Sequence, residues 1–168
     1  SMGTEPAVAA GRDGQMHVVW QNRVLTDAND IYHVALRHAL ATVLPQNVSD
    51  TLGQSLDPAV VVDYRNTVHV VWQEQVAAGF EIGYAFGRNA IWSWPSLISS
   101  VQGRAEYPTI ATTHGGRVVA VGWDDGYKIW MRTKLAGSAN WRAPFVVASS
   151  NWGSREFDLR GAGDLPYG

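Results

Sequence analysis

The pentapeptide HVVWQ occupies residues 17–21 and, letter for letter, residues 69–73. An exact recurrence in a chain without low-complexity segments points to an internal repeat, and a repeat constrains the fold more than local propensity does. Anchored on the Trp that ends each apolar run, the copies fall at Trp20, Trp72 and Trp123, roughly 50 residues apart. Four further landmarks keep their order in every copy. Pro6, Pro58 and Pro108 lie upstream; Ile31, Ile82 and Ile129 lie downstream; then come Pro45, Pro95 and Pro144, and finally Gly53, Gly103 and Gly153. The third copy has drifted to AVGWD at residues 120–124.

Each copy reads as four short strands. The runs PAVAA, PAVVV and PTIAT are small and apolar, as a crowded, buried strand requires. The turns GRDGQ, DYRNT and THGGR supply the Gly, Asn and Asp of a hairpin. In the second strand Met16, Val18 and Trp20 share one face, and His17 and Val19 the other. The third strand holds the Ile landmark. The fourth carries Val48, Ile98 and Val147, and the Pro at its start suits a sheet edge, where a missing N–H is harmless. A repeated four-stranded antiparallel unit of about 50 residues is the blade of a β-propeller.

The expected fold is therefore all-β, with three blades at residues 5–53, 54–103 and 104–153 inside a propeller unit spanning 5–157. Residues 158–168 read as a tail or the vestige of a fourth blade, and Ser1-Met2-Gly3 as an expression scar. Three wedge-shaped sheets cannot close a ring, and each end would expose a sheet face rich in Val, Ile and Trp. The direct remedy is a homodimer, two copies head to tail around a two-fold axis, giving six blades. The alternative is a piece of a longer propeller.

Composition narrows the partners. Net charge is −2, and the 13 Lys and Arg are scattered singly, so nucleic acid is not an expected partner. There is no cysteine, which excludes disulfides and thiolate metal sites. No apolar run approaches the roughly 18–20 residues of a membrane span. Localisation stays open between the cytoplasm and a secreted or periplasmic bacterial domain whose signal has been removed.

The blade pattern, Pro-x-Val/Ile-Ala, Gly-x-Val-His-Val-Val-Trp, Ile-x-Tyr and Trp-Ser-x-Pro-x-x-Ile-Ser, resembles the sialidase-like (BNR, or Asp-box) propellers. The family's box is Ser-x-Asp-x-Gly-x-Thr-Trp. Here the matching stretches are AFGRNAIW (85–92) and KLAGSANW (134–141), where Trp92 and Trp141 survive, Gly87 and Ala136 replace the Asp, and Thr42 stands in unit one for the Trp. The resemblance implies a six-bladed ring. Catalytic sialidases need three Arg, a Tyr nucleophile with a Glu, and an Asp acid; no position of this chain carries them over, so no catalytic residue is expected, and no cofactor.

His17 and His69 are repeat-equivalent and read as strand histidines packed between blades with bonded nitrogens. They lack a third ligand, so no metal is expected. The most regular polar feature follows each anchor Trp: Gln21 and Asn22, Gln73 and Glu74, Asp124 and Asp125. These groups either finish the strand and tie the next loop, or line one mouth of the ring as a sugar-binding surface. Trp94, Trp130 and Trp152 are the accompanying candidates for stacking on a sugar. Three functions follow: a non-catalytic module binding carbohydrate or glycoconjugate, a sialidase-like glycosidase with a degenerate or composite site, or a structural propeller fragment with no ligand.

Overall fold

The computed structural model describes residues 3–23, 28–38, 40–42, 44–99 and 104–149. Expectations resting on Trp152, Gly103, Gly153 and residues 158–168 lie outside these. Among the described residues every regular element is a β-strand. They form three antiparallel sheets, the three blades of the sequence repeat. Blade 1 contains β1 (Thr4–Ala10), β2 (Met16–Arg23), β3 (Asn29–Arg37), β4 (Leu40–Ala41) and β5 (Gln46–Asn47). Blade 2 contains β6 (Ser55–Val62), β7 (Val68–Val76), β8 (Gly79–Arg88), β9 (Ile91–Trp92) and β10 (Ser96–Leu97). Blade 3 contains β11 (Glu106–Thr113), β12 (Val118–Asp124), β13 (Lys128–Leu135) and β14 (Phe145–Ser149).

The fourth strand is whole only in blade 3. In blade 1 it is broken into β4 and β5, both paired with β3, and in blade 2 into β9 and β10, both paired with β8. Pro45 and Pro95 immediately precede the second pieces; without an N–H they cannot continue the ladder. The upstream prolines serve differently. Pro6, Pro58 and Pro108 sit inside register shifts at Thr4/Ala7, Leu56/Ala59 and Glu106/Thr109. The preceding residues Glu5, Asp57 and Tyr107 have φ of 49°, 51° and 53°. A bulge there lifts the proline out of the ladder and turns each innermost strand into its blade.

Blades stack in chain order. β6 of blade 2 lies against β1 on one side and β11 on the other. One core cluster, with Val19, Ile31, Val48, Val60, Val70 and Trp72, joins blades 1 and 2. The other, with Val71, Ile82, Ile98, Ile110, Val121 and Trp123, joins blades 2 and 3. In blades 2 and 3 the anchor-Trp face looks back at the preceding blade, and in blades 1 and 2 the opposite face looks forward.

That direction explains which repeat positions are open. On the backward face Val8 is 63% exposed, whereas its equivalents Val60 and Ile110 are 7% and 6%. Met16 is 45% exposed against 3% for Val68 and 0% for Val119. On the forward face the order reverses: Val48 and Ile98 are 3% and 2% exposed, but Val147 is 52%. Among the described residues no sheet lies against the backward face of blade 1 or the forward face of blade 3, and no sheet closes on itself.

Candidate functional site

The polar residues after the anchor Trp lie at the far end of each second strand. Gln21 accepts from the Asp57 amide at 3.1 Å, and Gln73 from the Tyr107 amide at 3.2 Å. Each glutamine thus ties its blade to the bulge that opens the next. Gln21 also donates to Thr4 Oγ1 at 2.9 Å. Glu74 is buried and accepts from Trp72 Nε1 at 2.7 Å and Ser55 Oγ at 2.8 Å. Asp125 accepts from Trp130 Nε1 at 2.7 Å and from the Tyr127 and Lys128 amides. Asp124 is buried and accepts from the Gly126 amide. Asn22 sits in β2 opposite Asp30. The structure brings Trp130 onto Asp125, half-buried against the core. Trp94 stands apart between β9 and β10, 89% exposed.

The opposite end of the blades, where the first hairpin turns lie, carries a site that the polar pattern did not reveal. Each junction there holds a pair of side chains capped by a Trp of the following blade. Between blades 1 and 2, His17 Nδ1 meets His33 Nε2 at 3.0 Å, and Trp92 stands edge-on to His33 at 4.9 Å. Between blades 2 and 3, His69 Nδ1 meets Tyr84 Oη at 2.8 Å, and Trp141 stands edge-on to Tyr84 at 5.1 Å. His33 and Tyr84 hold the same repeat position, two residues past the Ile landmark; that spacing was the available signal.

The second junction extends into a buried chain of four polar groups. His69 Nε2 contacts Asp63 Oδ2 at 3.3 Å, and Lys134 Nζ donates to Tyr84 Oη at 2.9 Å. An ionised carboxylate can only accept, so His69 carries its proton on Nε2, facing Asp63; Nδ1 then accepts from the Tyr84 hydroxyl, whose oxygen accepts from Lys134. Asp63 also accepts from the Arg65 and Thr67 amides. The chain therefore carries a negative end, two neutral links and a positive end. Burial lowers His69 against the opposing pull of Asp63. Burial raises the Tyr84 phenol, with Asp63 adding to it; a phenolate nucleophile needs the reverse.

Beside this chain opens a cleft of about 610 Å³, lined by Arg65, Thr67, His69, Phe86, Arg88, Trp92 and Lys134, among others. Tyr84 is not part of its lining. A second cleft of about 280 Å³ lies beside the His17–His33 pair. Among the described residues no group of three His, Cys, Asp or Glu is placed to hold a metal ion.

Solved structures share this architecture. The Hadza microbial sialidase Hz136 matches with a TM-score of 0.62 at 14% identity, over 83% of this chain and 36% of its own. The catalytic domain of the Coprinopsis cinerea GH62 α-L-arabinofuranosidase matches at 0.56 and 12% identity, over 89% and 52%. A structure from the GH130 family of mannoside phosphorylases, which contains glycoside hydrolases that target β-1,2 mannosidic linkages in Candida mannan, matches at 0.54 and 12%, over 85% and 48%. The chain has the β-propeller fold of these structures. It spans about a third to about a half of the length of these structures, and identities this low speak to fold alone. No protein-family model matches the sequence, and no curated protein does.

The histidines are expected to make the fold acid-sensitive. His33 is pushed down to about 4 by burial and by His17 beside it. Burial also lowers His17, with Asp13 opposing. These imidazoles stay neutral in the fold while the unfolded chain takes up protons below about 6.5. The unfolded state then binds more protons, so stability falls as pH drops from 6.5 towards 4. His33 alone is expected to lose about 2–3 kcal/mol across that window. Denaturant titrations at pH 7 and pH 4.5 measure it, and His33→Tyr, the residue blade 2 uses, should flatten the dependence.

Proposed function

We propose that the chain is a non-catalytic, carbohydrate-binding half-propeller whose ring is completed by a second copy. The carrying observation is a matched loss at the unpaired faces. In both internal junctions a His-containing pair is capped by a Trp from the next blade. In blade 3 the pair positions are Ala120 and Met131. In blade 1 the strand register puts Ala41 opposite Leu36, as Trp92 is opposite Gly87. The capping position of unit one is therefore Ala41, one residue before the Thr42 that the sequence alignment suggests. A junction of blade 3 with a second copy's blade 1 would pair the small side of both partners. Its apolar contacts would be Val8, Met16, Val18 and Trp20 against Val147, Phe145 and Met131.

Support for a carbohydrate ligand comes from the similar structures, which include a sialidase, an arabinofuranosidase and a structure from the GH130 family of mannoside phosphorylases. The exposed Trp94 and the polar ends of the second strands supply stacking and hydroxyl-bonding groups of the kind sugars use. Native mass across a concentration series tests the assembly. A stable species of twice 18.4 kDa is expected, and a monomer at all concentrations would overturn it. Glycan-array binding tests the ligand class; an array with no binder, or turnover of a glycoside, would overturn the non-catalytic module.

A further inference from the structure

The cleft between blades 2 and 3 has an unusual electrostatic lining. Three cations, Arg65, Arg88 and Lys134, face it, and no Asp or Glu does. Neither guanidinium makes an ion pair or a side-chain hydrogen bond among the described residues. Arg88 also lines the neighbouring cleft, where Asp13 is present. Lys134 is 3% exposed. Its ammonium lies 4.9, 5.2 and 5.2 Å from the ring centres of Tyr84, Phe86 and Trp141 and makes one hydrogen bond, to Tyr84.

Burying a cation is costly unless a counter-charge accompanies it. Asp63 meets that need only across two intervening side chains. An ammonium has three N–H groups, so two remain for the rings and for whatever occupies the cleft. Around the cations stand neutral donors, Thr67, Asn89, Ser93 and Ser138, and apolar surface from Phe86, Ile91 and Trp92. The apolar part of this wall lowers the local dielectric and so strengthens a charge-assisted bond to the buried Lys134 ammonium.

We propose that this cleft binds a tetrahedral oxyanion, a sulfate or phosphate ester, with Lys134, Arg65 and Arg88 as its counter-charges and Trp92 and Phe86 as the platform for the group that carries it. Three donor-only side chains match the three terminal oxygens of such an ester better than the two of a carboxylate. The oxyanion assignment stands on the cleft alone. Only its carrier, a sugar ring, rests on the carbohydrate reading above.

The test is a titration at low ionic strength, followed by tryptophan fluorescence and calorimetry. The probes are inorganic sulfate, inorganic phosphate, N-acetylglucosamine, its 6-sulfate and 6-phosphate esters, and glucuronate. Saturable binding of an ester is expected, weakened about tenfold or more by Arg88→Gln and by Lys134→Met. Comparing the two esters tells which oxyanion is preferred. The Arg88 side chain makes no hydrogen bond or ion pair among the described residues, so Arg88→Gln remains informative if Lys134→Met folds poorly. Binding of inorganic sulfate or phosphate that is lost in Arg88→Gln, without a gain from the sugar, supports the oxyanion site and removes the sugar carrier. Glucuronate binding more tightly than the esters would overturn the proposal. So would ester binding indifferent to both substitutions, or no saturable binding at all.

Discussion

Replacing Tyr84 by Phe is expected to destabilise the protein by about 3 kcal/mol, although it removes a single oxygen. That oxygen is the link between His69 Nδ1 at 2.8 Å and Lys134 Nζ at 2.9 Å. Both neighbours are buried. Deleting the hydroxyl strands an acceptor and a cation that have almost no exposed surface of their own. An unpaired buried charge is far more damaging than the intact network is stabilising. Lys134→Met should therefore be the milder change, since it removes the cation and leaves an apolar chain among three rings. Adding Lys134→Met to Tyr84→Phe should recover much of the loss, a coupling that a double-mutant cycle in denaturant measures directly. Additive effects of the two substitutions would show that the four groups do not act as a chain.

Trp72→Ala is expected to cost about 3–5 kcal/mol, measured by equilibrium denaturation, and to do so at any protein concentration. Trp72 is fully buried between blades 1 and 2. It packs on Gly83, where an added Cβ would lie 2.3 Å from the indole ring. Its Nε1 satisfies the buried Glu74. Trp20 holds the same repeat position but lies only partly buried, stacked on Tyr32 at 6.1 Å. In an isolated chain Trp20→Ala should be much milder. In a closed dimer its effect should grow with protein concentration, because the lost contact would then belong to the interface. The pair of variants thus separates intramolecular stacking from assembly.

The sequence by itself determined the blade. A period of about 50 residues, alternation in the second strand and turn residues at fixed offsets are local properties. Each strand must place every second side chain on the buried face. The histidines between blades followed from the same alternation. Legibility stopped where partners are far apart in the chain. Gln73 and Glu74 read equally well as ligand-binding or as strand-finishing groups, and only the folded chain shows Gln73 reaching the Tyr107 amide and Glu74 reaching Trp72. Tyr84, Lys134 and Asp63 belong to three hairpins and two blades, and no spacing links them; stacking one wedge on the next brings them together. Whether Val8 and Val147 are core or surface is likewise not written in their own segments. Both sit on blade faces like those buried elsewhere, and they are exposed because no described blade lies against them. Burial between blades is a property of the neighbour as much as of the residue, so tertiary structure alone decides it.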